Sequence, residues 1–406
     1  MYTRLKKLFA IKGYSLFVIC LLMVGTGISI TLPYLPLYLT EDVGMSEGAF
    51  GIFMALTLLS GVVVNSLIAK RSDSGMNRKW LIITAMLSSA LGYVSYLVFH
   101  NFFILLIAVS LFNGIGAAAM PQIYAYAQES ANASKSNDKT FAMSTLRSLL
   151  SLGFLVGPLG GTFILGAFGY EGLFLGTSAI YLIIASLVFL FLQKQKAVQS
   201  NTMKRKSIGS PSLKSKKIRQ PFIAFIFLFA VNAINMINTP LFIVNELQGT
   251  HTDVGLVVSI CAGLEIPIML VLGALGRKIS NHSLMIIGCF IAIIYYTILS
   301  VSTDSWQLIA AQLLQATFVA IVMGNGLSYF TDLLPDSLGL ATTIYTNGSI
   351  IGRLVGSMGG GFIAQFVGFR HVYWVCLALV IFSFFILWRT RSHVEMEVPT
   401  EHTPSA

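Results

Sequence analysis

The chain has 406 residues, 55% of them hydrophobic and 10% charged, with a mean hydropathy of +0.79. That composition excludes a soluble globular domain, because apolar runs of about 18 residues or more recur from end to end, each able to cross a hydrocarbon core. The net charge of +10 does not point to nucleic acid, since the basic residues sit in short segments beside apolar runs, the positive-inside pattern of a membrane protein.

The first residues, MYTRLKKLFAIKG, are basic and lead into the first span without a small-residue cleavage site, which reads as a retained cytoplasmic end rather than a signal peptide. Twelve spans are expected, at roughly 14–36, 47–69, 79–99, 102–126, 141–164, 172–192, 221–245, 253–276, 283–301, 305–331, 340–366 and 371–389. Their length argues for helices, because barrel strands are about 10 residues of alternating polarity. Between the sixth and seventh spans, Lys194, Lys196, Lys204, Arg205, Lys206, Lys214, Lys216, Lys217 and Arg219 stand without a single Asp or Glu. Such a segment cannot build a core and reads as a solvated linker.

The fold class expected is an all-α membrane protein of twelve transmembrane helices in two six-helix bundles. The boundaries are a first bundle at 1–192, a basic cytoplasmic linker at 193–220, a second bundle at 221–390 and a cytoplasmic tail at 391–406. With the N-terminus inside, the cytoplasmic segments collect 23 of the 26 Lys and Arg residues. The opposite side holds Glu41, Asp42, Glu47, Glu171, Glu246, Asp253 and Asp304, with only Arg370 basic. Both termini and the linker therefore face the cytoplasm. AYAQES closes the fourth span and SYFTDL the tenth, so Tyr126/Glu129 and Tyr329/Asp332 share one spacing at equivalent places of an internal repeat.

Charge within the spans is scarce, and a buried charge costs several kcal/mol unless it is paired or wetted. Glu265 falls near the middle of the eighth span and Arg353 deep in the eleventh, while Arg147 lies about 10 Å inside the fifth, where it could snorkel. One reading is a structural ion pair. The other is a proton taken up and released at Glu265, with Arg353 as its modulator. Amides recur on helical faces: Asn232 and Asn235 in the seventh span, Gln312, Gln315 and Asn325 in the tenth, and Gln122 with Tyr126 in the fourth. Such stripes face either another helix or a water-filled cavity. Three of them on separate helices favour a shared cavity, and amides with tyrosines suit a neutral, polyhydroxylated ligand. Asp73, set among four basic residues in AKRSDSGMNRK, is a gate candidate, as are Glu129, Arg147 and Asp332, although a solvated charged turn explains Asp73 equally. GFLVGPLGG in the fifth span and GSMGGGF in the eleventh supply glycines for close helix approach.

No metalloprotease, phosphate-loop or nucleophile-elbow motif is present in the sequence, so an enzyme is not expected, and any solute movement would have to draw on gradients. Cys20, Cys261, Cys289 and Cys376 fall inside spans without metal-ligand spacing, and no metal or cofactor is implied.

At these residues the chain resembles the major facilitator superfamily. AKRSDSGMNRK is similar to that superfamily's loop between helices two and three, without the usual leading glycine, and GFLVGPLGG looks like its helix-five antiporter motif. NTPLFIVNEL, AGLEIPIML, PQIYAYAQE and YFTDLLPDSLGLATTIYTN resemble the bacterial sugar efflux transporter family more specifically. The resemblance implies proton-driven export of sugars or glycosides across a bacterial cell membrane, with alternating access about a midplane site. The partners expected are a sugar or glycoside, protons and the lipid bilayer, with no nucleic acid, and the working unit is expected to be a monomer. A multidrug exporter of the same fold is the first alternative and a membrane sensor that binds a solute without moving it the second.

Overall fold

The computed structural model describes residues 13–72, 77–133, 139–192, 216–275, 279–335 and 337–395. Asp73, the linker at 193–215, the N-terminal residues 1–12 and the tail beyond 395 lie outside the described residues. Among the described residues all regular structure is helical. The spans are α1 (Tyr14–Thr31), α2 (Glu47–Ser72), α3 (Arg78–Val98) and α4 in two parts, α4a (Phe102–Gly116) and α4b (Ala119–Ala133). They continue with α5 (139–168) and α6 (170–191) on either side of Gly169, then α7 (Lys216–Leu241) and α8 (His251–Leu275). The last are α9 (Asn281–Val301), α10 in two parts, α10a (Ser305–Val319) and α10b (Asn325–Leu333), α11 (Leu338–Val367) and α12 (Phe369–Glu395).

Among the described residues eleven stretches are long and apolar enough to cross a membrane, and one of them, Thr145–Phe191 with 47 residues, holds both α5 and α6. The break between these two is Gly169, at φ 63°, and the break between α11 and α12 is Gly368, at φ 82°. Both junctions use left-handed backbone that a residue with a Cβ rarely adopts. Helix α7 is already formed at Lys216, ahead of residue 221, because Lys, Arg and Gln are good helix formers and continue the apolar helix outward.

The internal repeat is more extensive than six matching residues. A shift of 203 residues carries N-cap Asn77 to N-cap Ser280, C-cap Phe99 to C-cap Ser302 and N-cap Asn101 to Asp304, which caps α10a. The same shift carries the end of α4a, Gly116, to the end of α10a, Val319, so both halves break this span at one place. A shift of 204 carries the π-helical segment Tyr38–Asp42 to the π-helical segment Phe242–Glu246. A shift of 199 carries Gly169 to Gly368. The two halves are therefore one helical plan used twice, with the offset between equivalent positions drifting by a few residues along the chain.

The described residues fall into two compact units, the first within Met1–Lys204 and Ile243–Gly263, the second within Arg205–Phe242 and Leu264–Ala406. Helix α8 thus begins in the first unit and ends in the second. In the first unit, Tyr14, Phe17, Leu21 and Val24 of α1 pack with Ile82 and Met86 of α3, Leu146 of α5 and Tyr181, Ile184 and Val188 of α6. The backbone of α1 lies directly on α5: the Ser29 hydroxyl donates to the Gly153 carbonyl at 3.0 Å. In the second unit α7 lies on α11 in the same way, with Gly352 and Gly356 against the backbone of Ile226 and Ala230. Large apolar side chains also point outward, among them Phe163, 74% exposed, and Phe366, 79% exposed. In water such a surface would drive association, whereas on a multi-pass membrane protein it is the lipid face.

Arg370 shows how a charge at a span end is made structural. Its guanidinium donates to the carbonyls of Ser300 and Ser302, the open end of α9, and stands 5.2 Å from the Phe242 ring centroid. Hydrogen bonds from a charged group contribute about 1.5–3 kcal/mol. Arg370→Met is therefore expected to lower the midpoint of thermal unfolding in detergent by several degrees. An unchanged midpoint would mean that these carbonyls are equally well satisfied by water.

Candidate functional site

In the second unit the amides predicted on α7 and α10 meet side by side. Gln315 Nε2 donates to Asn232 Oδ1 at 3.3 Å, joining α10a to α7. Gln315 is 4% exposed, and its Oε1 is buried without a hydrogen-bond partner. A buried carbonyl oxygen left open in this way costs about 1–3 kcal/mol unless a water or ligand donor reaches it. Asn232 is half-buried, so this pair borders accessible space.

The other amides are spent differently. Asn235 Oδ1 accepts from the Thr239 hydroxyl at 3.1 Å and the Tyr295 hydroxyl at 3.3 Å, and Thr239 in turn contacts the Tyr373 hydroxyl at 3.1 Å. That network ties α7 to α9 and α12, which is interhelical bonding rather than an open ligand surface. Gln312 Nε2 returns to the Leu308 carbonyl one turn back at 2.9 Å. Asn325 begins α10b and is half-buried. Between Gln315 and Asn325 the helix passes through the π-helical segment Ala320–Gly324. A π turn takes up an extra residue, so the stripe expected on one uninterrupted helix changes phase there. In the first unit Tyr126 is 5% exposed and packs on Phe17 with ring centroids 5.5 Å apart.

The gate candidates Glu129 and Asp332 occupy equivalent positions in the repeat, and each is bonded to the first residue of a neighbouring helix. Arg78, at the start of α3, pairs with Glu129 at 2.9 Å and also donates to Gln122 Oε1 at 2.7 Å. Asn281, at the start of α9, donates to Asp332 Oδ2 at 2.7 Å. Both links span 51 residues of sequence. One half uses an ion pair where the other uses a neutral donor. Arg147 is exposed on α5.

Glu265 is half-buried on α8 and Arg353 is exposed on α11. Among the described residues the one ion pair is Arg78–Glu129, so Glu265 and Arg353 are not joined to each other. The surroundings of Arg353 were not anticipated. Thr342, Thr346, Ser349 and Arg353 recur at i, i+4, i+7 and i+11 of α11, and all but half-buried Ser349 are exposed. Ile351, Val355, Met358 and Phe362 repeat the same spacing as a second exposed stripe, wholly apolar. Their phases on a 3.6-residue helix are about half a turn apart. The apolar stripe suits lipid. A guanidinium with three hydroxyls does not, and it requires water or a polar ligand. Sequence reading missed this face because it followed amides rather than hydroxyls. The signal available was hydropathy: α11 has a mean of 1.3, the lowest of the eleven candidate stretches.

A family model described as Major Facilitator Superfamily matches residues 17–303 and 222–405. Sugar efflux transporter A of Dickeya chrysanthemi is 30% identical over 377 residues, covering 93% of this chain and 95% of that protein. The chain belongs to the sugar efflux transporter family of the major facilitator superfamily. Multidrug resistance protein MdtG of Proteus mirabilis is more distant, 24% identical over 90% of this chain and 92% of its own length. The crystal structure of nucleoside transporter NupG matches with a TM-score of 0.78 at 12% identity, covering 93% of this chain and 98% of that one, and shows the shared fold. This member of the sugar efflux family is thus a multi-pass membrane transporter and not an enzyme.

Proposed function

We propose that the protein exports sugars or glycosides from a bacterial cytoplasm by proton antiport, through alternating access of the bundles at 1–192 and 221–390. The geometric support is the Asn232–Gln315 pair, whose buried, open Gln315 Oε1 is an acceptor waiting for a hydroxyl. A sugar supplies such hydroxyls in number, and amides that both donate and accept suit them. The similarity to a sugar efflux transporter along nearly the whole chain supports the same substrate class and the outward direction. In this reading Asn232, Gln315, Gln312 and Asn325 contact substrate, with Asn235 and Tyr126 holding the helices that present them. Asp73, Glu129, Arg147 and Asp332 act at the cytoplasmic gate. Glu265 carries the proton and Arg353, on the hydroxyl-lined face of α11, balances its charge. The termini and linker are cytoplasmic, and the monomer is the working unit.

The experiment is uptake of labelled lactose or a glucoside into inside-out vesicles with an imposed proton gradient. Saturable uptake that collapses with an uncoupler is expected. Accumulation of a hydrophobic dye in place of sugar would move the substrate to the multidrug class that MdtG represents.

A further inference from the structure

The lipid face is not even along its length. Between α9 and α10a it is cut by a groove of about 370 Å³, a volume in the range of small-molecule sites. Both walls belong to the second unit. Ile298 and Val301 of α9 form one wall, and Ala310, Ala311 and Leu314 of α10a the other. Trp306, Gln307 and Ser302 stand at one end. The sequence accounts for the opening. Residues 302–304 are the whole connection between α9 and α10a, which holds the two helices side by side as a helical hairpin. On α10a, Ala310 lies midway between Trp306 and Leu314 on one face. A methyl group between an indole and an isobutyl group leaves a notch.

What the notch opens onto is set by its surroundings. Phe290, Ile294, Thr297 and Val301 recur at i, i+4, i+7 and i+11 of α9, and Trp306, Ala310 and Leu313 at i, i+4 and i+7 of α10a, all exposed. The Thr297 hydroxyl donates to the Ile293 carbonyl of its own helix at 2.7 Å, and the Thr317 hydroxyl, one turn beyond Leu313, to the Leu313 carbonyl at 2.7 Å. A hydroxyl facing hydrocarbon has to be satisfied within its own helix in this way. The groove is therefore continuous with the lipid face rather than with an aqueous cavity.

Its two ends differ in chemistry. Trp306 is the second residue of its span and 64% exposed, at the level where indole rings meet lipid headgroups. Gln307 Oε1 accepts from the Thr303 and Asp304 amides at 2.8 and 3.3 Å, which leaves its Nε2 with the donors for the groove end. Leu314 lies eight residues past Trp306, or about 12 Å deeper along the helix. That is less than half of a hydrocarbon core of about 30 Å, so the groove stays within one leaflet. Past the Ser302–Gln307 end all of its lining is apolar.

We infer that this groove binds one phospholipid of the adjoining leaflet. An acyl chain lies between Ile298, Val301, Ala310 and Leu314, and the glycerol ester oxygens accept from the Trp306 indole N–H and the Gln307 amide. A bilayer is as apolar as the groove, so burial of the chain does not select it. Selection comes from the fit of the notch around the chain and from two donors that meet acceptors at ester depth. A lipid held there joins α9 to α10a from outside, where Arg370 already ties down the end of α9. The site depends neither on the exported solute nor on Glu265.

The test is native mass spectrometry of the full-length protein, stripped of lipid in detergent and titrated with palmitoyl-oleoyl phosphatidylethanolamine. One lipid per chain should bind saturably. Ala310→Phe fills the notch and Trp306→Phe removes the indole donor, and each should weaken binding about tenfold, or about 1.4 kcal/mol. Leu313→Phe, on the same face but outside the lining, should bind as the wild type does. All three side chains are exposed, and an unshifted monodisperse peak in size-exclusion chromatography would show each variant folded. Adducts that grow without saturation, alike in the wild type and Ala310→Phe, would be a lipid shell only and would overturn the site. A wild-type dimer that Ala310→Phe abolishes would give this face to a second copy of the chain and overturn it as well.

Discussion

Glu265→Gln is expected to abolish uphill accumulation of substrate in inside-out vesicles while leaving exchange of labelled for unlabelled substrate intact. One proton crossing a gradient of one pH unit supplies about 1.4 kcal/mol, which supports about tenfold accumulation per proton. The wild type should reach that ratio, and the glutamine variant should stop at equal concentrations. Glu265 is half-buried on α8 with no ion pair among the described residues. A carboxylate inside a span is tolerated when hydrated, paired or protonated, and exchange among those states is what couples a proton to a change of conformation. Glutamine keeps the shape and hydrogen-bonding capacity but removes the titration. A structural carboxylate gives a different result: exchange would fall with accumulation, and the variant would lose stability. Accumulation that persists with its pH dependence would remove Glu265 from the coupling role.

The spans were legible in the sequence because hydropathy over a span-length window is a sum, insensitive to any one residue. The starts expected for the second, fourth and tenth spans, at 47, 102 and 305, coincide with Glu47, Phe102 and Ser305. The repeat was legible only where chemistry stood out, at Tyr126 and Tyr329. The caps that carry it through the rest of the chain, Asn77 with Ser280 and Asn101 with Asp304, are related by role and not by residue identity.

What stayed hidden depends on contacts between distant residues. Ala320–Gly324 reads AIVMG, with neither Pro nor a polar residue to announce a π turn, so the amides on either side were placed on one continuous face. Asn235 was indistinguishable from Asn232 until Tyr295 and Thr239 were seen to occupy its oxygen. The half-buried ring of His251 stands edge-on to Tyr34 and Tyr170, which no local pattern connects to it. On α11 the hydroxyls beside Arg353 barely lower hydropathy one at a time, and only their common phase on the helix sets them apart from the lipid-facing stripe.

The glycines of α5 and α11 carry the second large effect. The sequence treats those in GFLVGPLGG and GSMGGGF as one class, whereas the structure divides them. A Cβ on Gly356 would lie 2.7 Å from Ala230 Cα and 2.9 Å from its carbonyl carbon, and one on Gly153 would lie 2.6 Å from the Thr26 amide nitrogen. A Cβ on Gly359 or Gly160 would meet nothing within 4 Å. At Gly356 the obstacle is backbone of α7, which has no rotamer by which to yield, so the two helices must separate along their contact. Overpacking of side chains alone costs about 1–3 kcal/mol, and here the loss extends to the packing on which helix association in a membrane rests. Gly356→Val is therefore expected to remove the monodisperse peak in detergent size-exclusion chromatography and transport with it. Gly359→Ala, three residues along the same helix, should leave both intact and raise stability by about 1 kcal/mol, since alanine is the better helix former. A Gly356→Val protein that elutes and transports normally would show that α7 and α11 do not hold this close contact in the working transporter.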